Sequence, residues 1–119
     1  MKLQIKNSLI LTVNPQNEVL ENADIAIENG CLLAVGKVPE NFEADKVIDA
    51  TDQIAMPGLV NAHTHIPMSL FRNYADDLPF WPWLLEKIKP AEDHLSAEHV
   101  YWGAKLGILE LIQSGVTCF

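Results

Sequence analysis

The sequence predicts a mixed α/β fragment in two parts: β-strands over residues 1–56, then a strand, helix and second strand over residues 57–119. Three observations carry that expectation. Short apolar runs, LQIKN, LILTV, DIAIE, CLLAV and KVIDA, recur before Pro57 and are separated by turn-forming Asn, Pro and Gly. After Pro57 and Gly58 the pattern changes to one compact apolar run, LVNAHTH, and then to a helical period between Ala97 and Ser114. A β-branched run from Val116 to Phe119 follows the helix at once, which gives the order of a βαβ unit.

In the first part, DIAIE and CLLAV are separated by Asn29 and Gly30, a pair that tolerates the positive φ angles of a type I′ turn, so a hairpin is expected there. The remaining runs predict an antiparallel sheet. Strands this short and half-buried need a second layer over their apolar face. Their open edges also predict pairing with another copy of the chain, hence a homo-oligomer.

In the second part, Ser96 suits an N-cap and Glu98 places a negative charge in the first helical turn. Val100, Ala104, Ile108 and Leu111 then recur on one face, and Gly115 stands where a left-handed C-cap belongs. A parallel strand pair needs further strands and helices around it, and a (β/α)8 barrel takes at least about 200 residues. The sequence therefore reads as the N-terminal portion of something longer.

Composition narrows the function. Over 119 residues, 49% hydrophobic content is enough for a packed core. Sixteen acidic residues against eight basic ones leave a net charge of −8, which weighs against nucleic acid and anionic membrane as partners. The opening MKLQIKNSLILTVNPQ alternates and has no long apolar stretch, so it suggests neither a signal peptide nor a membrane span. Cys31 and Cys118 form no CxxC pair and read as small buried hydrophobes of a reduced, cytoplasmic protein.

The chemistry concentrates in LVNAHTH. If that run is a strand, Leu59, Asn61, His63 and His65 share one face, and the two imidazoles become a pair of ligands for a divalent metal. An HxH pair alone is more often a pair of ordinary surface or core histidines than a metal site. Asn61 is expected to pack or hydrogen-bond beside them, and His94 and His99 are expected at the surface.

The longer stretch PGLVNAHTHIPMSLFRNYADDLPFWPWLLEKIKPAED, from Pro57 to Asp93, resembles the start of amidohydrolase-superfamily enzymes. More narrowly, it resembles the 5-methylthioadenosine/S-adenosylhomocysteine deaminases and the related triazine chlorohydrolases. That resemblance implies a (β/α)8 TIM-type barrel, here represented by its first βαβ unit, with residues 1–56 supplying N-terminal strands of a composite β-sandwich. It implies that His63 and His65 are the first two ligands of one divalent ion, zinc, the other ligands and the acid/base carboxylate lying beyond Phe119. It implies a small-molecule purine nucleoside or aminoheterocycle as substrate, with Trp83 packing on the base and Glu92 accepting hydrogen bonds from the ribose. The residue types suit those roles, although Trp83 also reads as core and Glu92 as part of a solvated acidic face. Arg72, Asp76 and Asp77 lie in the same block and are expected to form loop salt bridges or caps.

Overall fold

Alternating side chains from Lys2 to Leu11 form one ten-residue strand, β1, in the computed structural model, which describes residues 1–119. LQIKN and LILTV are thus a single strand rather than two. Asn7 is absorbed as a bulge: its φ is +61° and the register slips between Ile5 and Ser8. Its N–H donates to Asp24 Oδ1 at 3.0 Å and its side-chain amide to Asp49 Oδ1 at 3.1 Å, so the bulge is tied on both sides.

Strand β2 (Val19–Glu28) pairs antiparallel with β1, and β3 (Cys31–Gly36) antiparallel with β2. Asn29 and Gly30 turn between them at φ +51° and +81°, as the Asn-Gly pair predicts. Strands β4 (Lys46–Asp49) and β5 (Ile54–Ala55) run parallel to β1, so the sheet is mixed and not antiparallel throughout. Hydrogen bonds at the start of β4 tie it to the start of β1. Asp45 accepts the Lys2 N–H on its carboxylate at 2.6 Å and donates its own N–H to the Lys2 carbonyl at 2.9 Å, which sets both strands off from the same end.

Ile10, Ala23, Ala26 and Ala50 are buried, and the fully buried Ser8 hydroxyl donates to the Ala23 carbonyl at 3.0 Å. The wider apolar face stays open as a groove of about 850 Å3 lined by Ile5, Ile25, Ile27, Leu32, Val35 and Ile54. Leu32 and Ile54 remain 66% and 61% exposed. This β unit, Met1–Pro57, is one of two compact units, the other being Gly58–Phe119.

In the second unit β6 (Leu59–Val60) pairs parallel with β7 (Val116–Cys118). Gly58 lies so close to Thr117 that a Cβ there would collide with its side chain. Between the strands, residues 66–92 carry a 3-10 helix (Ile66–Phe71) and then α1 (Phe80–Pro82), a π-helix (Trp83–Ile88) and α2 (Lys89–Glu92). The loop joining the 3-10 helix to α1 holds Asn73, Ala75 and Asp77 at φ between +59° and +68°.

Helix α3 (Ala97–Gln113) begins and ends as its capping residues predict. Ser96 Oγ accepts the His99 N–H at 3.3 Å, while His99 Nδ1 accepts the Ser96 N–H at 3.1 Å. His99 thus takes the place that Glu or Gln usually holds in a capping box. Gly115 closes the helix at φ +83°. The expectation of buried cysteines fails: Cys31 and Cys118 are both exposed, because each lies on a strand with an uncovered face. No helix is long and apolar enough to cross a membrane.

Candidate metal centre

Strand β6 stops at Val60, so strand alternation is not what brings the histidines together. The chain leaves β6 through Asn61, whose N–H donates to the Cys118 carbonyl at 2.9 Å and whose Oδ1 accepts the His63 N–H at 3.1 Å. Asn61 is therefore a turn former anchored to β7. Four residues on, His65 occupies the N-cap of the 3-10 helix, with its carbonyl accepting the Met68 N–H at 2.9 Å. The outcome is a pair of exposed rings whose Nε2 atoms face each other at 3.2 Å, with centroids 5.3 Å apart and planes tilted by 41°.

That spacing allows a hydrogen bond between neutral tautomers. It also matches metal chelation: two nitrogens about 2.0–2.1 Å from one ion at a tetrahedral angle stand about 3.3–3.4 Å apart. The donors are imidazole nitrogens, a ligand type that suits zinc and related divalent ions. No third His, Cys, Asp or Glu of the chain joins them in a cluster.

His65 lines a groove of about 360 Å3 with Thr64, Ile66, Ser69, Gly107 and Glu110. The far wall is one stripe of α3. Gly103 and Gly107 let the 3-10 helix lie directly on the α3 backbone, and Ser69 Oγ donates to the Gly103 carbonyl at 2.7 Å. Arg72 forks onto Glu110, with Nη1 to Oε1 at 2.8 Å and Nη2 to Oε2 at 2.6 Å. Its hydrogen bonds, with its charge adding, hold the Glu110 carboxyl below the ordinary glutamate range and raise Arg72 in turn.

Arg72 thus makes the salt bridge its position suggests, whereas Asp76 and Asp77 make none. Glu110, Gly103 and Gly107 were not singled out in the sequence. Their spacing of four and three residues along a helix is the signal that could have found them.

Trp83 opens the π-helix and lines a separate open cleft of about 600 Å3 with Ala75, Asp76, Asp77, Leu78 and Phe80. Its ring packs on Phe80 with centroids 5.9 Å apart. Glu92 ends α2, exposed, and its carboxylate makes no hydrogen bond within the chain. His94 Nδ1 contacts the Pro90 carbonyl at 2.7 Å, away from the histidine pair.

Residues 54–119 match the Amidohydrolase family. The matched span includes the whole second unit and exceeds half the chain, and the chain belongs to that family. Across all 119 residues it is 48% identical to the 5-methylthioadenosine/S-adenosylhomocysteine deaminase of Thermoanaerobacter pseudethanolicus, of which it spans 28%. To the protein of the same name from Moorella thermoacetica it is 49% identical over 121 residues, covering 99% of this chain and 28% of that one.

Solved structures agree in shape. An adenosine deaminase from Xanthomonas campestris with bound zinc superposes with a TM-score of 0.89 at 38% identity, over 98% of this chain and 27% of that one. Atrazine chlorohydrolase from Arthrobacter aurescens TC1, complexed with zinc, gives 0.85 at 25% identity, over 97% and 27%.

Proposed function

We propose that this chain is the N-terminal portion of a metal-dependent deaminase acting on 5-methylthioadenosine or S-adenosylhomocysteine. The observation that carries the reading is the 3.2 Å convergence of His63 and His65 within a segment 48% identical to a deaminase of that name. In the reaction water adds at C6 of the purine, the amino group leaves as ammonia, and the inosine analogue remains. His63 and His65 would hold one divalent ion, zinc, through Nε2, the other ligands and the proton-transferring carboxylate being supplied from beyond residue 119. Such an ion supplies Lewis acidity and a water acidic enough to act as a nucleophile near neutral pH.

The chain's other residues have separable roles. Trp83 offers an indole face for the purine, and Glu92, free of internal hydrogen bonds, can accept from both ribose hydroxyls. The parallel β6–β7 pair with its helical crossover supports the opening of a (β/α)8 barrel, and the open groove over β1–β3 supports a composite sandwich completed by chain outside residues 1–119. Free, exposed cysteines suit a reduced cytoplasmic setting.

Likeness to atrazine chlorohydrolase favours one alternative, displacement of chloride from an aminotriazine by the same attack on an electron-poor ring carbon. Both are tested by offering the full-length protein 5-methylthioadenosine, S-adenosylhomocysteine, adenosine and a chlorinated aminotriazine, reading ammonia and chloride. Ammonia release from the thionucleosides, lost with bound metal in His63→Ala and His65→Ala, is the expected result. Chloride release alone would replace the reading with the alternative, and neither product would overturn both.

A further inference from the structure

His65 owes its place to the helix that follows it. The backbone hydrogen bonds of residues 62–65 are confined to His63 N–H on the Asn61 side chain and the His65 carbonyl accepting from Met68. No strand ladder reaches them. The 3-10 helix is therefore the frame on which His65 rides, and α3 is the bed on which that helix lies.

The bed makes three contacts. At the end nearest His65, a Cβ on Gly107 would stand 2.8 Å from Ile66 Cγ2 and 3.0 Å from the Ile66 carbonyl oxygen. One turn earlier on α3, a Cβ on Gly103 would stand 2.7 Å from the Pro67 carbonyl oxygen, beside the Ser69 hydrogen bond to the Gly103 carbonyl. One turn beyond Gly107, in the groove that His65 lines, the two-pronged Arg72–Glu110 bridge closes the seat. Ile66 is bonded to His65, so displacing its carbonyl displaces the imidazole. A metal site tolerates only a few tenths of an ångström in its donor spacing.

We infer that Gly107 and the Arg72–Glu110 bridge are positioning residues that hold His65 at chelating distance from His63, an inference that rests on the metal-centre reading above. Gly107 sets the depth of the seat, because alanine there must push the Ile66 carbonyl away. Arg72 locks the same seat one turn beyond Gly107 with paired charge-assisted hydrogen bonds that a lysine, with one ammonium, cannot reproduce. Neither residue touches the metal.

The test uses the full-length protein loaded with Co2+ as a spectroscopic probe, comparing affinity by chelator competition, the visible absorption of the bound ion, and thermal melting. Gly107→Ala and Arg72→Lys should each weaken Co2+ binding about 10- to 100-fold, the usual cost of disturbing a ligand's support, and change the absorption bands while melting stays cooperative. The exchanged pair Arg72→Glu with Glu110→Arg should bind Co2+ more tightly than Arg72→Glu alone. Unchanged affinity and bands in Gly107→Ala and Arg72→Lys would overturn the inference; should Gly107→Ala fail to fold, Arg72→Lys and the exchanged pair decide. If His63→Ala and His65→Ala bind Co2+ as tightly as the parent, the metal-centre reading itself fails, a result distinct from the first.

Discussion

Glu110 is ionised at neutral pH and its partner Arg72 is always charged, so the bridge between the 3-10 helix and α3 is intact there. The sign of its pH dependence follows from the depressed carboxyl. A group whose folded pKa lies below its unfolded value adds stability above the unfolded pKa and loses it as pH falls through the folded one. The melting temperature of the parent should therefore exceed that of Glu110→Gln at pH 7, and the gap should close as the solution is acidified below the glutamate range. Both side chains are more than a third exposed, so the gap should also shrink in high salt. On the substrate side, Glu92→Gln and Trp83→Ala should raise KM for a thionucleoside about tenfold or more, with Glu92→Gln leaving metal content unchanged. Steady-state kinetics with metal analysis checks both; an unaltered KM would return these residues to the surface and core roles that their types equally suit.

Among the elements, α3 was the most legible, because both its ends are written in short-range chemistry at Ser96 and Gly115. Ser96→Ala should cost about 1 kcal/mol in urea denaturation. His99→Ala should remove the reciprocal half of the cap at smaller cost. The hairpin at Asn29 and Gly30 was legible for the same reason, since the pair dictates its own backbone angles. Elements that depend on distant partners were not. Asn7 reads as a turn and becomes a bulge only because Asp24 and Asp49 stand on either side of it. The parallel pairing of β4 with β1 joins residues more than forty positions apart, with Asp45 meeting Lys2, which no local pattern encodes. The helical turns between residues 66 and 92 were hidden by Pro67, Pro79, Pro82 and Pro90, each of which lacks the N–H that a helical reading requires. At the candidate site the pairing of His63 with His65 was legible, but its cause was not. An Asn61 turn and a 3-10 N-cap do what a longer strand was expected to do.

For the whole molecule, the open apolar groove on the β unit is the dominant fact. A face this large is covered in a finished protein or sticks to something else. The 119-residue chain alone should bind a hydrophobic dye such as ANS and self-associate with rising concentration, whereas the full-length protein should do neither. Fluorescence and sedimentation give the comparison directly. A monomeric chain that melts cooperatively without dye binding would show that residues 1–119 satisfy themselves, and the composite-sandwich reading would fall.

The π-helix between α1 and α2 sets a phase relation along that stretch. An unbroken α-helix turns about 100° per residue, which over the nine steps from Trp83 to Glu92 amounts to two and a half turns and leaves the two side chains on opposite sides. A π segment, with its longer hydrogen-bonded loop, winds through fewer degrees per residue. Residues Trp83–Ile88 therefore act as a gear change that carries Glu92 back round toward the side of Trp83. Shortening that segment by one residue would leave eight α steps, about 800°, and nearly the same phase, whereas winding all nine steps as α-helix would set the two side chains on opposite sides.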